Sequence, residues 1–218
     1  MNTIMTSDPL TPSEIVLLNG EKFIPKSRFT SVKLPHKDVK VTIDHLLITM
    51  LAAAVLANEQ AGVLTLKASQ KKVLGRPRDT LYIYLADPAA DWPDDTLEAA
   101  MRDQAQILLA DQGQEAHALV YGWLARNSTS SLWYRAFYKV RGNLMARGLL
   151  QKVKARRFKI LPATKYELAP HAVELVAQQA LEPTQQLLSD CERQRPQVYK
   201  LLRDHIDHGF VRRGRVRT

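Results

Sequence analysis

Apolar residues recur at steps of three and four through Ile43, Leu46, Leu47, Met50, Leu51, Ala54 and Val55, the spacing that gathers side chains on one face of an α-helix. Thr42 stands where an N-cap hydroxyl belongs and Gly62 where a left-handed residue ends a helix, so the pattern predicts a buried helix over residues 43–61. The period then changes to two. Val63, Leu64 and Leu66, and later Leu81, Ile83 and Leu85 alternating with Tyr82 and Tyr84, read as two strands joined by a basic loop over residues 67–78. After a break at residues 88–93, Asp94 or Asp95 is placed to cap a helix through Leu97, Met101, Ala105, Leu108 and Leu109 to Gly113, and another is expected over residues 115–126. Asn127 and the Ser/Thr cluster 128–131 end that helix and cap the next, residues 132–147, whose Leu132, Ala136, Val140 and Leu144 form an inward stripe closed by Gly148. Residues 149–154 and 158–161 follow as strands joined by a turn at 155–157, with Pro162 ending the second.

Beyond Pro170, residues 171–180 and 184–208 read as helices interrupted near Pro183 and Pro196. Residues 1–40 mix Pro, Ser, Thr and Lys with short apolar pieces, and only 14–18 has the look of a helical turn. The expected organisation is a lead-in over 1–40, one domain over 41–210 and a loose basic tail over 211–218 carrying Arg212, Arg213, Arg215 and Arg217. The expected fold class is mainly α: a single globular helical domain with one or two β-hairpins. The order helix, glycine, basic hairpin occurs twice, with Gly62 and Gly148 86 residues apart, which hints at internal duplication.

Composition narrows the function classes. At 218 residues, 45% hydrophobic and mean hydropathy −0.24, the chain is expected to be a soluble globular protein. Its longest apolar run, residues 46–57, is too short to cross a bilayer, and the N-terminus lacks the basic-then-apolar order of a signal peptide, so a cytoplasmic location is expected. Cys191 is the one cysteine and has no partner for an internal disulfide; a small packed side chain fits it better than a catalytic thiol. No Walker loop, dinucleotide fingerprint, nucleophile elbow or paired-cysteine spacing occurs, so neither an enzyme nor a cofactor is expected. The best metal candidate is the run Asp204, His205, Ile206, Asp207, His208, but no third ligand is identifiable elsewhere, and no metal site is expected. His36, His45, His117 and His171 are scattered and read as surface or packed histidines.

Charge changes the picture most. Residues 116–166 contain no Asp or Glu in 51 positions, yet hold eleven Lys/Arg and eight of the fifteen aromatics. Residues 1–120 carry 12 basic and 15 acidic side chains, whereas 121–218 carry 19 and 7. Uncancelled positive charge beside rings points to a phosphate-bearing partner. The candidate headgroup-binding set is Trp133, Arg135, Lys139 and Arg141 on the helix and Lys152, Lys154, Arg156 and Arg157 on the hairpin. Arg suits bidentate phosphate contacts and Lys acts as a mobile point charge.

The run Leu10-Thr11-Pro12-Ser13-Glu14-Ile15-Val16-Leu17-Leu18, the helix leaving through Ala61-Gly62-Val63-Leu64-Thr65-Leu66, and Leu144-Met145-Ala146-Arg147-Gly148-Leu149-Leu150 with the hairpin to Leu161 together resemble the Golgi phosphoprotein 3 family. The resemblance runs over residues 10–165 and rests on the order of these short motifs. It implies a mainly helical peripheral membrane protein that binds phosphatidylinositol 4-phosphate through a basic pocket and inserts its hairpin; eukaryotic members also bind the cytoplasmic tails of Golgi glycosyltransferases. Counted without gaps back from Gly148, the family's two headgroup arginines fall on Tyr134 and Phe137 and the arginine of its first helix on Leu51, which makes Arg135, Lys139 and Arg141 a displaced set. The basic turn at Ala155-Arg156-Arg157 favours electrostatic adsorption over deep burial.

Two other readings stay open. A helix followed by a basic hairpin is also the pattern of a winged helix-turn-helix, with residues 132–147 as recognition helix and 150–161 as wing, which would make nucleic acid the partner. The third reading is an adaptor for protein clients with no anionic ligand.

Overall fold

Fourteen of the eighteen residues of one helix, α2 (Ile43–Gln60), are buried. A helix that is apolar nearly all round belongs in the middle of a protein rather than at its surface. The computed structural model, which describes residues 9–25, 31–87, 90–108, 113–125, 134–157, 161–178 and 181–214, packs α1 (Pro12–Leu18), α3 (Leu97–Leu108), α5 (Arg135–Ala146), α7 (Leu181–Gln194) and α8 (Pro196–Gly214) against α2. Two further helices, α4 (Ala116–Ala125) and α6 (Pro170–Gln178), complete the α-helices among the described residues, and a short 3-10 turn follows α1 at Gly20–Lys22.

The lead-in is part of the core. Val16, Leu17 and Leu18 of α1 are completely buried, and so are the polar Ser13 and Glu14. Their partners are remote: the Ser13 N–H and hydroxyl donate to the two oxygens of Glu98 on α3 at 2.8 and 2.9 Å, while Glu14 accepts from Asn143 at 2.9 Å and from Arg147 at 2.8 Å. Buried polar groups satisfied in this way fix where the helix docks.

The sheets overturn the mainly helical expectation. The structure is 58% helix and 23% strand, with three small sheets of two, three and two strands among the described residues, so the fold is mixed α and β. The first, β1 (Ser31–Lys33) with β2 (Lys40–Thr42), begins inside the segment read as a lead-in and crosses its expected end at residue 40. In the second, the stretch expected as a basic loop is itself strand: β3 (Leu64–Val73) and β4 (Arg76–Leu85) pair without a break from Leu64↔Leu85 to Val73↔Arg76. Their outer halves face water on both sides, so no apolar alternation marks them. A third strand, β5 (Gln114–Glu115), pairs with β4. In the third sheet, β6 (Leu150–Arg157) pairs with β7 (Leu161–Leu168), and Pro162 lies within β7 opposite Arg156 instead of ending it.

Both hairpins that follow α2 and α5 leave their helix through the same exit. Gly62 (φ 77°) and Gly148 (φ 71°) are left-handed. The Gly62 N–H donates to the Glu59 carbonyl and the Val63 N–H to the Asn58 carbonyl, while the Gly148 N–H donates to the Met145 carbonyl and the Leu149 N–H to the Leu144 carbonyl. Each is the paired-bond helix stop that glycine permits. The repeated order seen in the sequence is therefore repeated geometry as well.

Smaller expectations shift by a few residues. Thr96, not Asp94 or Asp95, caps α3, its hydroxyl accepting from the Ala99 N–H at 3.1 Å. Pro196 begins α8 and Pro183 stands in the first turn of α7, where a missing N–H costs nothing. Helix α8 continues to Gly214, through the start of the expected tail. The cap at 127–131, the first turn expected from Leu132, the helix end at 109–112 and residues 158–160 and 215–218 lie outside the described residues.

Candidate functional site

Helix α5 divides cleanly by face. Ala136, Phe137, Val140, Asn143 and Leu144 are buried, while Tyr138 and Gly142 are exposed and Arg141 is half-buried between them. The stripe follows from i, i+3, i+4 spacing, and it leaves aromatic and cationic side chains on the solvent side. Tyr134 and Tyr138 stack with ring centroids 5.7 Å apart.

Arg141 joins helix and hairpin. Its guanidinium lies 4.3 Å from the ring centroid of Tyr166 on β7, 4.9 Å from Tyr138 and 5.2 Å from Phe137. It makes no ion pair among the described residues. Aromatic faces hold a guanidinium in place without cancelling its charge, so Arg141 is oriented yet electrostatically available. Lys152 is opposite Tyr166 in the β6–β7 register and Lys154 opposite Thr164. Cross-strand partners share a face, so both exposed lysines stand on the side of the ribbon that carries Tyr166. Arg141, Lys152 and Lys154 thus form one cationic surface around Tyr166.

The remaining candidates divide. Arg135 is committed to structure: it donates to the carbonyls of Trp123 and Leu124 at 2.5 and 2.8 Å and lies over the Trp123 ring, closing the C-terminal end of α4. Lys139 pairs with Asp95 at 2.7 Å, an exposed contact that is easily exchanged. Arg156 and Arg157 end strand β6, opposite Pro162 and Leu161. Trp133 lies outside the described residues. At the positions where the resemblance would place arginines, Phe137 and Leu51 are core residues and Tyr134 is exposed, so none of the three supplies a cation to this surface.

The expected metal candidate comes apart. Asp204 pairs with Lys200 at 2.8 Å, and Asp207 and His208 are exposed. His205 instead turns inward and meets two residues that no spacing along the chain connects with it: its ring nitrogen lies within 4.8 Å of a Glu115 carboxylate oxygen and of a His117 ring nitrogen. The His205 Nδ1 accepts from the His117 backbone N–H at 3.2 Å, while the Leu81 backbone N–H donates to its Nε2 at 3.4 Å and the Thr80 hydroxyl lies 3.4 Å from the same nitrogen. Glu115 is held by Lys71 and by His117 Nδ1 at 3.1 Å. Burial, then the neighbouring His117, lowers the His205 pKa to about 4. With His205 uncharged at neutral pH, the cluster clasps α8 to β4 and α4, beneath a cleft of ≈ 570 Å³ whose lining mixes both charge signs.

No helix among the described residues is long and apolar enough to cross a membrane. No protein-family model matches the chain, and no curated protein matches it.

Proposed function

We propose that this protein is a non-enzymatic peripheral membrane protein that binds anionic phospholipid headgroups of the phosphatidylinositol 4-phosphate type through α5 and the β6–β7 hairpin. The observation that carries the reading is Arg141, oriented by three rings and unpaired with any carboxylate among the described residues, beside exposed Lys152 and Lys154. Each well-placed cation contributes about 1 kcal/mol of attraction to an anionic leaflet, so three suffice for reversible adsorption. Exposed tyrosines suit the headgroup layer, where one end of the ring is apolar and the other wet. The resemblance to the Golgi phosphoprotein 3 family points the same way and adds membrane-protein clients as partners.

The winged-helix alternative has less support. The solvent face of α5 presents Tyr134, Tyr138 and Gly142 and no Asn or Gln to read base edges, its Arg141 lies against three rings, and Arg135 at its start is engaged with backbone carbonyls. Co-sedimentation with phosphatidylcholine vesicles, with and without phosphatidylserine or phosphatidylinositol 4-phosphate, tests the proposal. Binding is expected only with the anionic lipids, and equal recovery with all three compositions would contradict it.

A further inference from the structure

The outer half of the β3–β4 ribbon leaves the body of the protein. At its base Leu64, Leu66, Leu81 and Ile83 are buried, whereas residues 70–79 are exposed except for the half-buried Lys71. Pairing continues to Val73↔Arg76, so the turn consists of Leu74 and Gly75 alone, with φ 52° and 78°. A two-residue turn with both residues left-handed favours Asn-Gly or Asp-Gly, because a bulky side chain is disfavoured there. Leu74 nevertheless occupies the first position, and its side chain is 98% exposed. It therefore combines a disfavoured backbone with a fully hydrated apolar group, and no contact among the described residues offsets either cost.

The surroundings are cationic. Lys71 and Arg78 are directly opposite each other, an arrangement that repels, and Arg76 is opposite Val73. Lys71 is engaged by Glu115, but Lys72, Arg76 and Arg78 make no ion pair among the described residues. Lysines and Pro77, which has no N–H, discourage another strand from adding to this ribbon. That accounts for the polar residues and leaves Leu74 unexplained. An apolar residue at the apex of a cationic ribbon fits an environment in which anionic groups overlie an apolar phase within a few ångströms, and a bilayer surface supplies both.

We propose that the β3–β4 tip is a second membrane contact, in which Leu74 and Val73 enter the boundary between headgroups and acyl chains of an anionic bilayer while Lys72, Arg76 and Arg78 contact lipid phosphates. It deepens the membrane reading above and rests on it, but uses a different hairpin.

The test is binding of the full chain to phosphatidylcholine–phosphatidylserine vesicles by the parent, Leu74→Asn, Leu74→Trp and Lys152→Ala/Lys154→Ala, with duplex DNA as a parallel probe. Asn suits the left-handed turn, so Leu74→Asn should melt at or above the parent temperature. Its vesicle affinity should fall by about tenfold or more, with the salt dependence unchanged, because an apolar contact and no charge is lost. Leu74→Trp should bind at least as tightly as the parent. If Leu74→Asn binds vesicles as the parent does while Lys152→Ala/Lys154→Ala is weakened, the β3–β4 contact is wrong and the α5 surface stands. If only Leu74→Asn is weakened, the tip contact stands and the α5 surface fails. Loss of DNA binding in Leu74→Asn with vesicle binding intact overturns the lipid assignment in favour of nucleic acid, and a parent that ignores anionic vesicles overturns both membrane contacts.

Discussion

Glu14 and Arg147 are 133 residues apart in the chain and joined in the fold: both carboxylate oxygens of Glu14 accept from Arg147 Nη1, at 3.0 and 2.8 Å. Glu14 is completely buried on α1, and Arg147 is the residue through which α5 passes into Gly148 and the β6–β7 hairpin. Burial raises the Glu14 carboxyl, while the guanidinium and the Thr11 and Asn143 donors pull it back. The pair therefore ties the start of the chain to the base of the proposed membrane-binding surface.

Removing one partner of a buried ion pair leaves the other charge uncompensated. Arg147→Ala is expected to destabilise the protein by about 3 kcal/mol. Glu14→Gln, which keeps most of the hydrogen bonding and removes the buried charge, should cost less. Urea unfolding of the three proteins checks this; equal midpoints for parent and Arg147→Ala would show the pair to be dispensable.

Glu98 makes stability depend on pH. Complete burial raises its pKa from 4.5 to about 7, against the pull of the Ser13 and Thr11 donors. A carboxyl whose folded pKa is raised binds more protons in the folded state, so its contribution is fully present below 4.5 and is lost as pH rises through about 7. Comparing Glu98→Gln with the parent across that window, the variant should gain relative stability by up to about 3 kcal/mol. A constant difference would show that Glu98 titrates normally.

His205 acts in the opposite direction. Its folded pKa is depressed to about 4 from 6.5, so its contribution is present above 6.5 and is lost as pH falls toward 4. Acid unfolding should begin at lower pH in His205→Gln than in the parent, because the variant has no imidazole to protonate in the clasp. Thermal melts from neutral to acidic pH read this out; a larger acid sensitivity in the variant would contradict it.

Legibility in the sequence followed solvation. Helix α2 was readable because its apolar spacing and Gly62 agree with each other and with where the helix lies. Helix α1 was legible as a turn at 14–18 but its burial was not, because nothing local satisfies Ser13 and Glu14 until Glu98, Asn143 and Arg147 arrive from 85 and more residues away. The outer β3–β4 ribbon carried no period of two because neither face is buried there, and β1–β2 is too short to show one. At the candidate site the charges were legible but their employment was not. Arg135 and Lys139 look equivalent to Arg141 in the sequence, yet one closes α4, one meets Asp95, and Arg141 alone of the three lies against the aromatic cluster shared with the hairpin.

Because Arg141 is positioned by rings rather than carboxylates, Arg141→Gln should weaken binding to anionic vesicles about fivefold, the equivalent of one charge, without lowering stability by more than about 1 kcal/mol. Arg141→Lys should recover only part of the loss, since a lysine cannot stack on Tyr166 as a guanidinium does. Full recovery by Lys would show that charge alone matters there.

The most direct test of the account is the salt dependence of vesicle binding by the parent and by Arg141→Gln/Lys152→Ala/Lys154→Ala. All three substitutions fall on the solvent side of α5 and β6, so the fold should be retained. The parent is expected to bind phosphatidylserine-containing vesicles with an affinity that falls as salt rises, and the triple variant to bind at least about tenfold more weakly with a shallower dependence on salt. Equal affinity and equal salt dependence in the two proteins would contradict the assignment of this surface to an anionic membrane.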